Sequence, residues 1–184
     1  MLGCGTVGSQ IARLLVANKA DLTSRAGAQI ELVKVAVRDA KVKRDGVPDN
    51  LITTDANSIV NDPSIDLIIE VIGGISPAKE LILTALKNGK SVVTANKALL
   101  AKDGAELYEA ASKANVDLYY EAAVAGAIPI LRPLRESLVG DQVIRIMGIV
   151  NGTTNYILTK MDESGTAFAD ALKQAQDLGF AEAD

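Results

Sequence analysis

The repeated passage from a short branched apolar run to an amphipathic helical segment most restricts the folds open to this chain. Ile65-Asp66-Leu67-Ile68-Ile69-Glu70-Val71-Ile72 is almost continuously apolar, as expected of a parallel strand covered on both faces. Gly73-Gly74 ends it, and Ser76-Pro77 opens a helix with Ser76 as N-cap and Pro77 at the first helical position. Residues 78–87 place Leu81, Ile82, Ala85 and Leu86 on one side, and Gly89 terminates the helix. Ser91-Val92-Val93-Thr94 is the next strand, 103–114 the next helix, and 116–120 a further strand. Upstream, 30–37 reads as a strand and 56–60 as a short helix, with 18–29 and 45–50 as polar connections. Strands separated in this way by helices make an α/β fold with a doubly wound, Rossmann-like parallel sheet.

At the front stands Gly3-Cys4-Gly5-Thr6-Val7-Gly8, with the spacing G-x-G-x-x-G. Gly3 and Gly5 permit a tight turn and close approach to a pyrophosphate, and Gly8 permits flush packing of the helix that follows. That helix, from Ser9 onward, offers the free N–H groups and positive dipole end that favour a phosphate. A plain tight turn would use the same glycines; the βα alternation behind them favours a dinucleotide site. Only Met1 and Leu2 precede the turn, whereas a strand takes about 5 residues, so the chain is expected to be clipped at its front. Gly73 and Gly74, at the carboxyl end of a central strand, either admit a ligand to the backbone or form a simple turn. Asn96-Lys97 follows the next strand at the edge where open α/β sheets hold ligands.

An acidic residue after the second strand suits the ribose hydroxyls of NAD, and an arginine suits the 2′-phosphate of NADP. Here Arg38 comes first and Asp39 next, with Lys41, Lys43 and Arg44 close behind. A solvated basic loop explains them equally; as a site they tilt toward NADP(H), with NAD(H) still open.

Composition removes several classes. Aromatics make up 3% and the net charge is −4, so neither stacking platforms nor a basic face for nucleic acid is expected. The single cysteine, Cys4, excludes an internal disulfide and suits a reducing cytoplasm. No apolar run is long enough to span a membrane, and no charged-then-apolar leader opens the chain. Histidine is absent, so any proton donor has to be Lys, Tyr, Asp or Glu, with lysine the first suspect. Cys4, inside the glycine turn, is a poor nucleophile for acyl chemistry.

Past Glu121 the texture changes to small residues, Ala122-Ala123-Val124-Ala125-Gly126-Ala127. A Pro-entered helix over 128–139, a strand over 142–150, a polar turn 151–155 into a helix ending near Met161, and a helix over 168–178 are expected. The boundary falls at 127/128: residues 1–127 form an NAD(P)-binding domain, and 128–184 part of an α+β substrate and dimerisation domain.

Four stretches in order resemble the homoserine dehydrogenase family. They are Asn96-Lys97-Ala98-Leu99-Leu100-Ala101, Tyr120-Glu121-Ala122-Ala123-Val124-Ala125-Gly126-Ala127-Ile128-Pro129, Gly148-Ile149-Val150-Asn151-Gly152-Thr153-Thr154-Asn155-Tyr156-Ile157-Leu158, and Gly179-Phe180-Ala181-Glu182-Ala183-Asp184. Each alone is moderately specific; four in register are strong. The resemblance implies NAD(P)-dependent interconversion of L-homoserine and L-aspartate 4-semialdehyde, in threonine, methionine and isoleucine biosynthesis, by a homodimer. It implies that Thr6 and Val7 contact the cofactor's pyrophosphate and Arg38 its adenosine phosphate, and that Lys97 lies beside cofactor and substrate as a catalytic group. It further implies that Glu121 and the backbone of Val124, Gly126 and Ile128 hold a structural sodium ion. Hard oxygen donors suit a hard cation. Thr153 and Glu182 would line the homoserine site, Glu182 accepting from the amino group. The family's catalytic lysine and an aspartate lie shortly beyond the last stretch, so an incomplete member is expected, and its turnover alone stays open.

Duller explanations accompany these assignments. A lysine at a strand end is commonly a solvated cation, Glu121 suits an N-cap, Thr153-Thr154 could cap the next helix, and Glu70 could be a paired core charge with no function assigned. Two other readings compete with the enzyme: another dehydrogenase on this fold working through an acyl-thioester, and a non-catalytic nucleotide-binding or dimerisation module.

Overall fold

Leu2, fully buried, is the seam of the sheet. In the computed structural model, which describes residues 1–44, 46–149 and 151–180, Leu2 bridges Ala36 on one side and Glu70 on the other, both in parallel. Its N–H donates to the Ile69 carbonyl (2.7 Å), and its carbonyl accepts from the Val71 N–H (2.8 Å). Two ladders meet there. β1 (Val35–Ala36) pairs with β2 (Ile52–Thr53), and β3 (Leu67–Glu70) pairs with β4 (Ser91–Thr94), which pairs with β5 (Leu118–Tyr119), all parallel. The spatial order is therefore β2-β1-Leu2-β3-β4-β5. With Leu2 taken as the first strand, this is the 3-2-1-4-5-6 order of a doubly wound nucleotide-binding sheet.

The helices of this region are α1 (Thr6–Ala17), α2 (Lys19–Ala26), α3 (Ala56–Val60), α4 (Ala78–Lys87) and α5 (Lys97–Ala114). α4 presents Leu81, Ile82, Ala85 and Leu86, as its apolar spacing requires, to a cluster containing Ile68, Val92, Leu99, Leu107 and Leu118. Each such buried Leu or Ile contributes about 1.5–3 kcal/mol. The other side is thinner: Ala12 of α1 packs with Cys4, Val35, Val37 and Val47, while Leu67 is exposed. Coverage of β3 on both faces is thus only partial.

Chain contacts divide the protein into two compact units, Met1–Arg135 and Glu136–Asp184. In the second, α6 (Gly152–Ser164) and α7 (Phe168–Asp177) pack around Ile157, Ala171 and Ala175.

Several expectations require correction. Of 30–37 only Val35–Ala36 is strand, because pairing reaches no further than two residues of β2. Residues 19–26, read as a connection, form α2, a helix with no buried residue. It lacks the apolar stripe that periodicity detects and is supported by the Asp21–Arg25 pair (3.7 Å) and the left-handed Gly27 cap. Ser76 is not an N-cap: Pro77 takes that place, and the Ser76 hydroxyl donates to Glu80 instead (3.3 Å). α5 starts at Lys97 rather than at 103, capped by the Asn96 side chain and broken at Asp103 (φ −126°). The helix expected over 128–139 is confined to 131–137, and Pro133–Ser137 is a π-turn. Pro133 lies in the first turn and offers no N–H to it. The strand expected over 142–150 has no ladder partner over 142–149 among the described residues, and Val150 lies outside them. A strand exists only through its partner, whatever its side-chain pattern.

Candidate functional site

Three glycines shape the opening turn in three ways. Gly3 has φ +94°, and a Cβ there would stand 2.7 Å from the Val71 carbonyl oxygen. A Cβ on Gly8 would stand 2.6 Å from the Gly3 carbonyl oxygen and 3.3 Å from a Val71 methyl. Gly5 has nothing within 4 Å of that position. Gly3 and Gly8 therefore allow turn, helix and β3 to interlock, and Gly5 leaves open space. Gly5 is also the N-cap of α1 and supplies no side-chain cap, so the first-turn N–H groups keep their donor capacity.

That space is a cleft of about 770 Å³ lined by Gly3, Gly5, Val37, Arg38, Arg44 and Ile72 among others. Its size suits a small-molecule or cofactor site, in the range of roughly 300–1,000 Å³. Open backbone at Gly5, uncapped N–H groups and a basic rim fit the pyrophosphate and adenosine half of a dinucleotide. Arg38 is exposed at the rim. The Asp39 carboxylate accepts the Lys41 N–H (2.8 Å) in a local turn. Arg44, known from the sequence only as a neighbouring cation, clamps this loop to the glycine turn. Its Nε donates to the Cys4 carbonyl (3.2 Å), and its Nη1 to the carbonyls of Asp39 (3.0 Å) and Val42 (2.6 Å).

The tips of β3 and β4 are joined by buried polar groups. Glu70, without accessible surface, accepts through Oε1 from the N–H groups of Ile72 (2.8 Å) and Gly73 (3.2 Å), and through Oε2 from the Thr94 hydroxyl (2.6 Å). Thr94 Oγ1 accepts the Asn96 N–H (3.0 Å). Asn96 Nδ2 donates to the Gly74 carbonyl (2.6 Å), and its Oδ1 caps the Leu99 N–H (3.1 Å). The sequence marked Glu70 only as a lone carboxylate in an apolar run.

Lys97, the exposed first residue of α5, directly follows Asn96. Because Leu2, β3 and β4 run parallel, the glycine turn, Gly73 and Lys97 all lie beyond the carboxyl ends of their strands, at one edge of the sheet. Gly3, Gly5 and Arg38 line the cleft. Thr6 and Val7 are the exposed first residues of α1, and Gly8 is buried behind them. Gly73 follows Ile72 with φ 78°.

Both oxygens of Glu121 are engaged, accepting the N–H groups of Leu131 (3.0 Å) and Arg132 (2.9 Å) and so capping the helical turns that begin there. Between them runs the loop with Val124, Gly126 and Ile128, in which Ala125 (φ 50°) and Ala127 (φ 65°) both sit in the left-handed region. A carboxylate with lone pairs to spare and main-chain carbonyls is a donor set that fits a hard monovalent cation in kind. Beside this loop, the Tyr108 and Tyr120 rings meet edge to face at 5.6 Å. Burial, then the bond to Tyr120, pushes the Tyr108 phenol up to about 12. In the second unit the Thr153 hydroxyl donates to the Phe180 carbonyl, and the helix cap is Asn151 rather than Thr153 (Asn151 Oδ1 accepts the Thr154 N–H, 2.8 Å). Glu182 lies outside the described residues.

The strand order and the glycine-lined cleft at its carboxyl edge define a Rossmann-like NAD(P)-binding α/β domain. Residues 3–121 match the family model described as the NAD binding domain of homoserine dehydrogenase, and 129–184 match the model described as homoserine dehydrogenase. The chain belongs to the homoserine dehydrogenase family. A homoserine dehydrogenase of Corynebacterium glutamicum is 53% identical over 184 residues, covering 100% of this chain and 41% of that protein. The chain thus spans about two fifths of that relative. A crystal structure of a homoserine dehydrogenase from Thiobacillus denitrificans superposes with a TM-score of 0.84 at 48% identity, over 100% of this chain and 42% of that one. A hyperthermophilic archaeal homoserine dehydrogenase in complex with NADPH superposes with a TM-score of 0.78 at 27% identity, over 100% and 61%.

Proposed function

We propose that the protein of which these residues form part interconverts L-homoserine and L-aspartate 4-semialdehyde with a nicotinamide dinucleotide. The observation carrying this reading is one strand edge that presents the glycine turn, the cleft and Lys97 together, in a chain of this family. When bound, the nicotinamide supplies hydride transfer. The chain's own part is to seat and orient. Gly5 and the first turn of α1 receive the pyrophosphate, with Thr6 and Val7 at the contact and Gly3 and Gly8 holding the turn closed. Arg38 meets the adenosine 2′-phosphate; its exposure at the rim, with Asp39 engaged in its own turn, favours NADPH over NADH. Gly73 leaves backbone open beside the ring. Lys97 holds a positive charge and a proton near the substrate's terminal oxygen, where charge changes during reaction.

Glu121 and the carbonyls of Val124, Gly126 and Ile128 would hold a structural sodium ion. Thr153 and Glu182 would contact the substrate's amino-acid end. Exposed Val143, Ile144, Ile146, Met147 and Ile149 (Ile144 is 95% exposed) support a homodimer joined along this segment. Among the described residues no helix is long and apolar enough to cross a membrane.

The test is made on the full-length protein: NADPH quenching or enhancement of fluorescence, and homoserine-dependent reduction of NADP. Lys97→Ala is expected to lower turnover by several orders of magnitude with NADPH still bound. Wild-type turnover in that variant removes Lys97 from the mechanism, and no homoserine-dependent reduction in the parent refutes the reading.

A further inference from the structure

Glu70 is a carboxylate with no accessible surface, held by three donors of which none carries a charge. Stability alone argues against it. An apolar residue of similar size would avoid desolvation at the centre of a sheet whose neighbours are Ile68 and Val92. What the carboxylate gives is geometry. Oε1 gathers two successive N–H groups, Ile72 and Gly73, bending the chain away from β3 into the Gly73–Gly74 pair (φ 78° and 72°). Oε2 takes the Thr94 hydroxyl, whose oxygen takes the Asn96 N–H; Asn96 returns to the Gly74 carbonyl and caps α5 at Leu99. The circuit closes on itself, and Lys97 is threaded between two of its anchored points, Asn96 and Leu99.

We propose that Glu70 is a positioning residue, fixing the tips of β3 and β4 so that the Gly73–Gly74 backbone and Lys97 meet the nicotinamide end of the ligand in one arrangement. This rests on the reading of the site given above. Glutamine at position 70 keeps one acceptor oxygen for the two N–H groups but turns an NH2 toward Thr94. Thr94 Oγ1, which already accepts from Asn96, can take that NH2 only on its remaining lone pair while its own proton is left without an acceptor, so the β3–β4 link reverses direction and weakens while the fold around it is kept.

In the full-length protein, Glu70→Gln is expected to leave the affinity for adenosine 2′,5′-bisphosphate unchanged, since that probe occupies only the adenosine half. NADPH affinity falls several-fold, and kcat falls by about 10–100-fold, the scale set by misplacing reacting groups by about 1 Å. Should Glu70→Gln fail to fold, Thr94→Val removes the other end of the same link and gives the same split. Wild-type NADPH affinity and kcat in the folded variant overturn the proposal. So does a parallel loss of both ligands, which would signal general distortion. Failure of the unsubstituted protein to bind NADPH refutes the site itself, and Glu70 with it, so the two failures are told apart by the parent protein.

Discussion

Replacing Gly8 by alanine separates packing from ligand binding at the glycine turn. The added Cβ would lie 2.6 Å from the Gly3 carbonyl oxygen and 3.1 Å from its carbon, inside the roughly 3.5–4 Å of an unstrained carbon contact. Gly3 has no room to retreat, because its own Cα already faces the Val71 carbonyl so closely that a Cβ there would be 2.7 Å away. The overlap is therefore met by backbone on both sides, which puts it at the upper end of the roughly 1–3 kcal/mol range for overpacking. Against this, alanine gains about 1 kcal/mol over glycine in helix propensity. The net loss is about 2 kcal/mol, a fall of about 4–8 °C in Tm for a chain of 184 residues. Gly5→Ala is the control: nothing lies within 4 Å of its Cβ, and its φ is −85°. It costs under about 1 kcal/mol as a weaker cap, but its methyl enters the cleft, and NADPH affinity is expected to fall at least tenfold. Thermal unfolding and NADPH titration of both variants read the two effects separately. A Gly8→Ala protein that melts at or above the parent temperature refutes the interlocked turn.

Two further outcomes follow from local contacts. The Asp62 carboxylate is held down to about 2, first by the Ser64 hydroxyl and N–H and then by Lys34 at 3.3 Å. A depressed carboxylate adds stability that is complete above its unfolded value near 3.8 and is lost as pH falls toward about 2. Asp62→Asn should therefore flatten the acid limb of the stability curve between those values, measured by urea unfolding at a series of pH values. In the second unit, Asn151→Ala removes the side chain that caps the Thr154 N–H of α6. It is expected to cost about 1 kcal/mol, seen as a lower unfolding midpoint and fraying of α6 in amide exchange.

The parts of this chain that were legible from sequence are those in which a side-chain pattern carries its own reason. α4 was readable because Leu81, Ile82, Ala85 and Leu86 recur at helical spacing and all become buried. The glycine spacing was readable because each position answers to a contact or a gap. β2 was not, since two residues have no period, and its pairing with Val35–Ala36 decides it. α2 was missed because a helix that buries nothing has no stripe. The segment 142–149 misled for the opposite reason, having a strand's pattern with no partner in the described residues. At the site, Arg38 and Lys97 stand out in the sequence as cations that follow strand ends. The roles of Arg44 and Glu70 do not show there, because Arg44 reaches a carbonyl 40 residues away and Glu70 a hydroxyl on the neighbouring strand.

Ala125 and Ala127 hold backbone angles that glycine would take at no steric cost, each at an expense of about 1–2 kcal/mol. Glycine in their place would relieve that strain and also free the loop to wander. Alanine by itself favours other backbone shapes, so this one is held by contacts around the loop, among them Glu121 on the Leu131 and Arg132 N–H groups. For the cation proposed above, the ordering of this loop would then be met by the fold rather than taken from the affinity.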